Sequence, residues 1–194
     1  RELNTFRLIN SRLQGHPTTH EGLPGVRVAS GSLGQGLSVA IGAALSKKIN
    51  NDSKTIFVLM GDGELQEGQN WEALMYASAK SVDNIIVTVD INGKQIDGPT
   101  NEVLDLGDIR LKFESFGWLT IELDEGNDIE SIILTLNKAI KFLGNGSPVA
   151  ILMKTQMGNG VDFMMNTHAW HGKAPNDDQL KIALLQNPET LGDY

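Results

Sequence analysis

Asp62 and Asn92 carry the first chemical signal in this sequence. Each follows a run of strand length: Thr55–Met60 leads into Gly61-Asp62-Gly63-Glu64, and Asn84–Val89 leads into Asp90-Ile91-Asn92-Gly93. Ligands of open α/β sheets bind at the carboxyl ends of strands. One helical segment separates the two runs, so the strands are expected close together, with Asp62 and Asn92 on one rim. A carboxylate and an amide oxygen are hard donors, and a backbone carbonyl after Asn92 can add a third. Mg²⁺ takes six oxygens at about 2.1 Å and completes its shell with water and phosphates. Glycines beside Asp62 suit a backbone that a ligand approaches closely. The helix expected from Gln66 turns its amino end to the same rim, where free N–H groups favour an anion. A metal-bridged diphosphate site follows. Gly-Asp-Gly or Asn-Gly alone also makes an ordinary turn; the pairing at successive strand ends is what points to ligands.

The other candidates are weaker or excluded. Gly31-Ser-Leu-Gly34-Gln-Gly36 has the glycine order G-x-x-G-x-G, not the dinucleotide order G-x-G-x-x-G, and a nicotinamide reading leaves Asn92 without a role. The four histidines are His16, His20, His168 and His171, with His16 in Gly-His-Pro and His171 in Trp-His-Gly. None forms a His-x-x-x-His pair, so a zinc hydrolase site is not expected. Cysteine is absent, which removes thiol catalysis, disulfides and thiolate metal sites and fits a reducing compartment. Sixteen Lys and Arg against 24 Asp and Glu leave a net charge of −8, a poor match for nucleic acid or an anionic membrane. A phosphate bound here therefore needs backbone amides or a metal ion.

These residues must be positioned by an α/β fold, a parallel β-sheet flanked by helices. The 194 residues suit a single domain, 1–194, with 40% apolar and 21% charged residues. Arg1–Leu13 has helical spacing without an N-cap, Gln14–Pro24 reads as a loop and Val26–Ala29 as a short strand. A helix of small residues is expected over Leu37–Lys48, then the strand Thr55–Met60, the helix Gln66–Lys80 and the strand Asn84–Val89. Helices over Ile109–Phe116 and Ile129–Leu143 alternate with strands over Trp118–Leu123 and Pro148–Met153, and a loop covers Gly158–Pro175. Apolar strands alternating with helices indicate parallel pairing. No apolar run reaches membrane-spanning length and no signal peptide is visible.

Six segments in order carry a family resemblance: Gly15-His-Pro, Leu23-Pro-Gly-Val, Gly31-Ser-Leu-Gly-Gln-Gly, Gly61-Asp-Gly-Glu-Leu-Gln-Glu-Gly, Asn92 with Gln95-Ile-Asp-Gly, and Trp170-His-Gly-Lys-Ala-Pro. Together they resemble the transketolases, and more narrowly the separate amino-terminal subunit of split bacterial transketolases. The resemblance runs from about Gly15 to Pro175. It implies a thiamine diphosphate-binding fold and a Mg²⁺ (or Ca²⁺) ion held by the side chains of Asp62 and Asn92 and the carbonyl of Lys94. By the same resemblance, the amide of Gly63 meets the diphosphate, Gly31 and Leu33 lie against the pyrimidine and thiazolium end, and Ile96 packs on the thiazolium. His171 reaches the diphosphate and the substrate, His16 contacts substrate hydroxyls, Glu67 sits at the subunit interface, and His168 is a neighbour of the site or plain loop.

The implied activity is transfer of a two-carbon ketol unit from a ketose phosphate to an aldose phosphate, in the cytoplasmic pentose phosphate pathway. The cofactor carries the bond-breaking step and the protein supplies position and electrostatics. The family's activating Glu lies on a second, pyrimidine-binding domain, so a carboxy-terminal partner chain is expected, in a dimer or heterotetramer. The family also carries histidines upstream of the Gly-His-Pro segment. Only 14 residues precede Gly15 and none is His, so upstream residues are expected to be missing. Alternatives are another thiamine diphosphate enzyme, such as a deoxyxylulose-phosphate synthase or an oxo-acid dehydrogenase, and a non-catalytic fragment or binding subunit.

Overall fold

The computed structural model describes residues 2–188. In chain order the strands are β1 (Ile56–Gly61), β2 (Ile85–Ile91), β3 (Lys94–Gln95), β4 (Gly98–Pro99), β5 (Leu119–Leu123) and β6 (Val149–Lys154). The helices are α1 (Gln35–Ile49), α2 (Gly68–Ala79), α3 (Thr100–Leu104), α4 (Ile109–Ser115), α5 (Ile129–Ile140) and α6 (Asp177–Gln186). β1, β2, β6 and β5 lie side by side in that order, and every pairing is parallel. β3 and β4 form a separate antiparallel hairpin.

The β-branched runs explain this sheet. β2 and β6 are central, and Ile85, Ile86, Val87, Val89, Val149, Ala150 and Ile151 are buried, as strands covered on both faces require. On one face Leu37, Ile41 and Ala44 of α1, Leu74 and Ala77 of α2 and Phe113 of α4 join Val87, Val89 and Leu152 in the larger core. Trp118 locks it, its indole N–H donating to the Leu74 carbonyl at 2.9 Å and its ring meeting Phe113 edge-on. On the other face Ala139 of α5 packs with Ile86, Ile121, Leu123, Val149 and Ile151. β1 is an edge strand, and Phe57 and Leu59 on that second face are exposed.

The structure departs from the sequence expectations in places. Over residues 2–13 it has a 3-10 turn, Glu2–Thr5, and further turns instead of a helix; Arg1, where the helix was expected to begin, lies outside the described residues. Arg7 and Asn10 have φ of 62° and 65°, which a helix does not accept, and Ile9 is 93% exposed. The helical spacing has no apolar surface to face. Val26–Ala29 is extended without a strand partner, so it is not a strand. The helix expected over Gln66–Lys80 is split: Glu64–Gln66 form a 3-10 turn, Glu67 is extended, and α2 starts at Gly68. Buried Asn70 holds the split, donating from Nδ2 to the Glu64 carbonyl at 2.6 Å. The expected helix over Ile129–Leu143 ends at Ile140, although Leu143 still packs on the second core.

Candidate functional site

β1 and β2 end together. Gly61 lies opposite Asp90, and the Asp62 amide donates to the Asp90 carbonyl at 3.0 Å, carrying the pairing one residue past β1. The Asp62 side chain is therefore turned to the start of the β3–β4 hairpin. Its Oδ2 accepts from the Gly93 amide at 2.7 Å, and its Oδ1 accepts from the Gly63 amide at 2.9 Å. Gly93 is the residue after Asn92, so the expected neighbourhood of Asp62 and Asn92 at one rim is present. Asn92 Oδ1 accepts from the Lys94 amide at 2.8 Å, which folds the Asn92–Lys94 turn tightly at the end of β2. The Thr100 amide donates to the Gly93 carbonyl at 3.1 Å and returns the hairpin to this turn. A cavity of about 170 Å³ opens beside Asp62, lined by Ile91, Gly93, Thr100, Leu104 and Gly107 among others.

Asp62 is 3% exposed. Burial pushes its carboxyl above the ordinary carboxylate range and the Asp90 carboxylate adds to this, against the opposing pull of the Gly93 and Gly63 amides. Among the described residues no cationic side chain is paired with it. A buried carboxylate beside a second one, without a counter-charge, is the electrostatic setting that a divalent cation relieves. Gln95 Oε1 is also buried beside Gly63 without a hydrogen-bond partner. Carboxylate, amide and carbonyl oxygens at one strand-end rim fit a hard, oxygen-seeking ion of the Mg²⁺ or Ca²⁺ type. No group of three His, Cys, Asp or Glu suited to a metal occurs among the described residues, so a softer transition-metal site has no comparable support.

The remaining candidates fall into two groups. Gly31 and His16 are in contact: a Cβ added at Gly31 would lie 2.9 Å from the His16 Cβ. The loop bearing His16 is thus seated on the segment that precedes α1. Leu33 and Ile96 are 53% and 65% exposed, two apolar side chains open to whatever approaches. The Gly63 amide is engaged by Asp62, so it is not a free donor here. α2, expected to present its amino end from Gln66, begins later at Gly68 behind the 3-10 turn. Glu67 is exposed and packs over Gly34, where an added Cβ would come within 2.8 Å of the Glu67 Cβ. His171 and His168 lie in the exposed segment after β6, where the His171 amide donates to the His168 carbonyl in the 3-10 turn His168–Trp170. Among the described residues no side-chain hydrogen bond joins His171 to Asp62 or Asn92.

Sequence reasoning passed over Glu64, Gln95 and Asp90. Glu64 Oε1 accepts from the Gly34 amide at 2.8 Å and Oε2 from the Gly61 amide at 3.4 Å, so one carboxylate ties the amino end of α1 to the end of β1. Its only local signal is its place directly after Gly-Asp-Gly. Gln95 and Asp90 gain their positions through pairing between strands, which has no signature in residue spacing.

A family model for "Transketolase, thiamine diphosphate binding domain" matches residues 1–189. One of the two named subunits of the apulose-4-phosphate transketolase of Actinobacillus succinogenes is 38% identical over 182 residues, 94% of this chain and 64% of that protein. The protein of the same description from Phocaeicola vulgatus is 36% identical over 97% of this chain and 65% of its own length. The chain thus spans a little under two thirds of these curated relatives. Among solved structures, transketolase from Campylobacter jejuni superposes with a TM-score of 0.84 at 32% identity, covering 95% of this chain and 29% of that one. A Pichia stipitis transketolase in complex with sedoheptulose 7-phosphate gives 0.85 at 30% identity, again over 95% of this chain and 28% of that one.

Proposed function

Because the chain belongs to the family of transketolase thiamine diphosphate-binding domains, we propose that it is the cofactor-binding, amino-terminal part of a ketol transferase assembled with a partner chain. Its substrates on this reading are a ketose phosphate donor and an aldose phosphate acceptor. The observation that carries the site is the 2.7 Å hydrogen bond from the Gly93 amide to Asp62 Oδ2, which ties the turn bearing Asn92 to a buried, unneutralised carboxylate. Asp62, Asn92 and the Lys94 carbonyl hold Mg²⁺, and the amide of Gly63 meets the diphosphate when the ion takes Asp62. Gly31, Leu33 and Ile96 give the cofactor's rings an apolar seat. When bound, thiamine diphosphate supplies the carbon that accepts the two-carbon unit and passes it on. His16 and His171 orient substrate hydroxyls and move protons, work for which imidazole is suited near neutral pH. The partner supplies the pyrimidine-binding domain with its activating Glu, so the isolated chain binds cofactor weakly and shows no turnover.

Calorimetry with thiamine diphosphate and Mg²⁺, with and without the partner, tests the site. Asp62→Ala and Asn92→Ala are each expected to abolish binding; unchanged affinity in both removes the reading. A donor screen separates the chemistry. Xylulose phosphate turnover supports ketol transfer, whereas turnover of pyruvate or branched oxo acids assigns the chain to another thiamine diphosphate enzyme. Two curated relatives carry apulose-4-phosphate in their names, so that sugar belongs in the screen.

A further inference from the structure

Asn92 presents two chemically opposite atoms at the end of β2, and only its oxygen can serve a cation. Which atom points where is decided by its surroundings. Oδ1 accepts from the Lys94 amide at 2.8 Å, while Nδ2 donates to Asp90 Oδ1 at 3.4 Å. A flipped amide would set its NH₂ against the Lys94 N–H and its oxygen against the Asp90 carboxylate, two repulsive contacts in place of two attractive ones. Asp90 is itself fixed from the neighbouring strand: the Thr155 hydroxyl donates to the same Oδ1. Thr155 is in turn held by its own amide, which donates to the Ile91 carbonyl at 3.2 Å, one residue past the Ile91–Lys154 register pair. A relay therefore runs from β6 through Thr155 and Asp90 to the Asn92 amide.

We propose that Thr155 and Asp90 are positioning residues for the divalent cation, fixing the Asn92 amide with its oxygen free to act as a ligand. The proposal rests on the reading of Asp62 and Asn92 as metal ligands. Partners of this kind orient ligands and typically change metal affinity about 10- to 100-fold when removed. Neither residue touches the ion, and the effect passes through Asn92.

The test uses the full-length chain in its assembled form, with Mn²⁺ titrated in the presence of thiamine diphosphate and free Mn²⁺ followed by electron paramagnetic resonance. Thr155→Val is expected to raise the Mn²⁺ Kd about tenfold or more, with the metal-free melting temperature unchanged. Thr155→Ser, which keeps the hydroxyl, restores wild-type affinity. Wild-type Mn²⁺ affinity in Thr155→Val, alongside lost binding in Asp62→Ala, overturns the positioning role and leaves the metal site standing. Wild-type affinity in Asp62→Ala as well overturns both. Should Thr155→Val fail to fold, Asp90→Asn is titrated in the same way: a Kd raised about tenfold supports the relay, and an unchanged Kd overturns it.

Discussion

A single carboxylate can decide whether two segments of chain meet. Glu64 accepts the amides of Gly34 and Gly61, one at the start of α1 and the other at the end of β1. Gly34 is buried and has φ of 83°, a conformation that glycine alone adopts without strain, so its amide has no ready alternative partner. Glu64→Ala leaves that donor unsatisfied and is expected to cost about 1–3 kcal/mol, read as a lowered urea midpoint at unchanged slope. The same variant loosens the Gly31–Leu33 segment, so thiamine diphosphate affinity should fall with it. Unchanged stability and affinity together would show that the contact carries no weight. Asp62 and Asn92 were legible because both are unusual residue types at strand ends. Glu64, Asp90 and Gln95 were not, because each owes its role to a residue on another element. Nothing in Gly-Asp-Gly-Glu says that the last carboxylate reaches an amide 30 positions back.

At the scale of elements, the four sheet strands were readable to within one or two residues because β-branched runs buried between helices leave a dense apolar signal. The β3–β4 hairpin has two-residue strands of mixed polarity and leaves no such signal, although it carries Lys94, Gln95 and Ile96 beside the candidate site. α6 also went unread, because Leu180, Ile182, Leu184 and Leu185 are exposed and do not line one buried face. Connections between elements are testable through Asp83. Burial pushes its carboxyl up, but the Lys48 ammonium at 2.6 Å and the Gly146 amide at 3.0 Å outweigh this and hold it below the ordinary range. The Asp83 carbonyl also accepts from the Gly144 amide, so the end of α1, the start of β2 and the turn after α5 meet at one residue. A carboxyl depressed in the folded state adds stability that is present above its unfolded value of about 3.9 and is lost as the pH falls through the folded value. Asp83→Asn is therefore expected to lower stability by about 0.5–1.5 kcal/mol at pH 7. The gap from wild type should close as the pH is taken below 4 in a denaturation series. A gap independent of pH would assign the cost to packing and not to the charge.

For the whole molecule, the balance of charge sets the order in which ligands bind. The chain carries −8, Asp62 is buried beside Asp90, and no helix among the described residues is long and apolar enough to cross a membrane. A diphosphate approaching this rim meets like charge, and the Gly63 amide is already taken by Asp62. A divalent cation changes both conditions at once, since it neutralises the carboxylate and draws it away from the amide. Thiamine diphosphate alone should therefore leave the melting temperature unchanged, and Mg²⁺ alone should raise it little. The two together should raise it in proportion to the logarithm of concentration, because a ligand at 100 times its Kd adds about 2.7 kcal/mol to the folded state. For a chain of this size each kcal/mol is worth about 2–4 °C. Differential scanning fluorimetry of the assembled protein reads all four conditions, and a chelator should return the melt to the ligand-free curve. An equal shift from the cofactor in the presence of the chelator would mean that the diphosphate is held by protein donors alone, and the role assigned to Asp62 and Asn92 would fall.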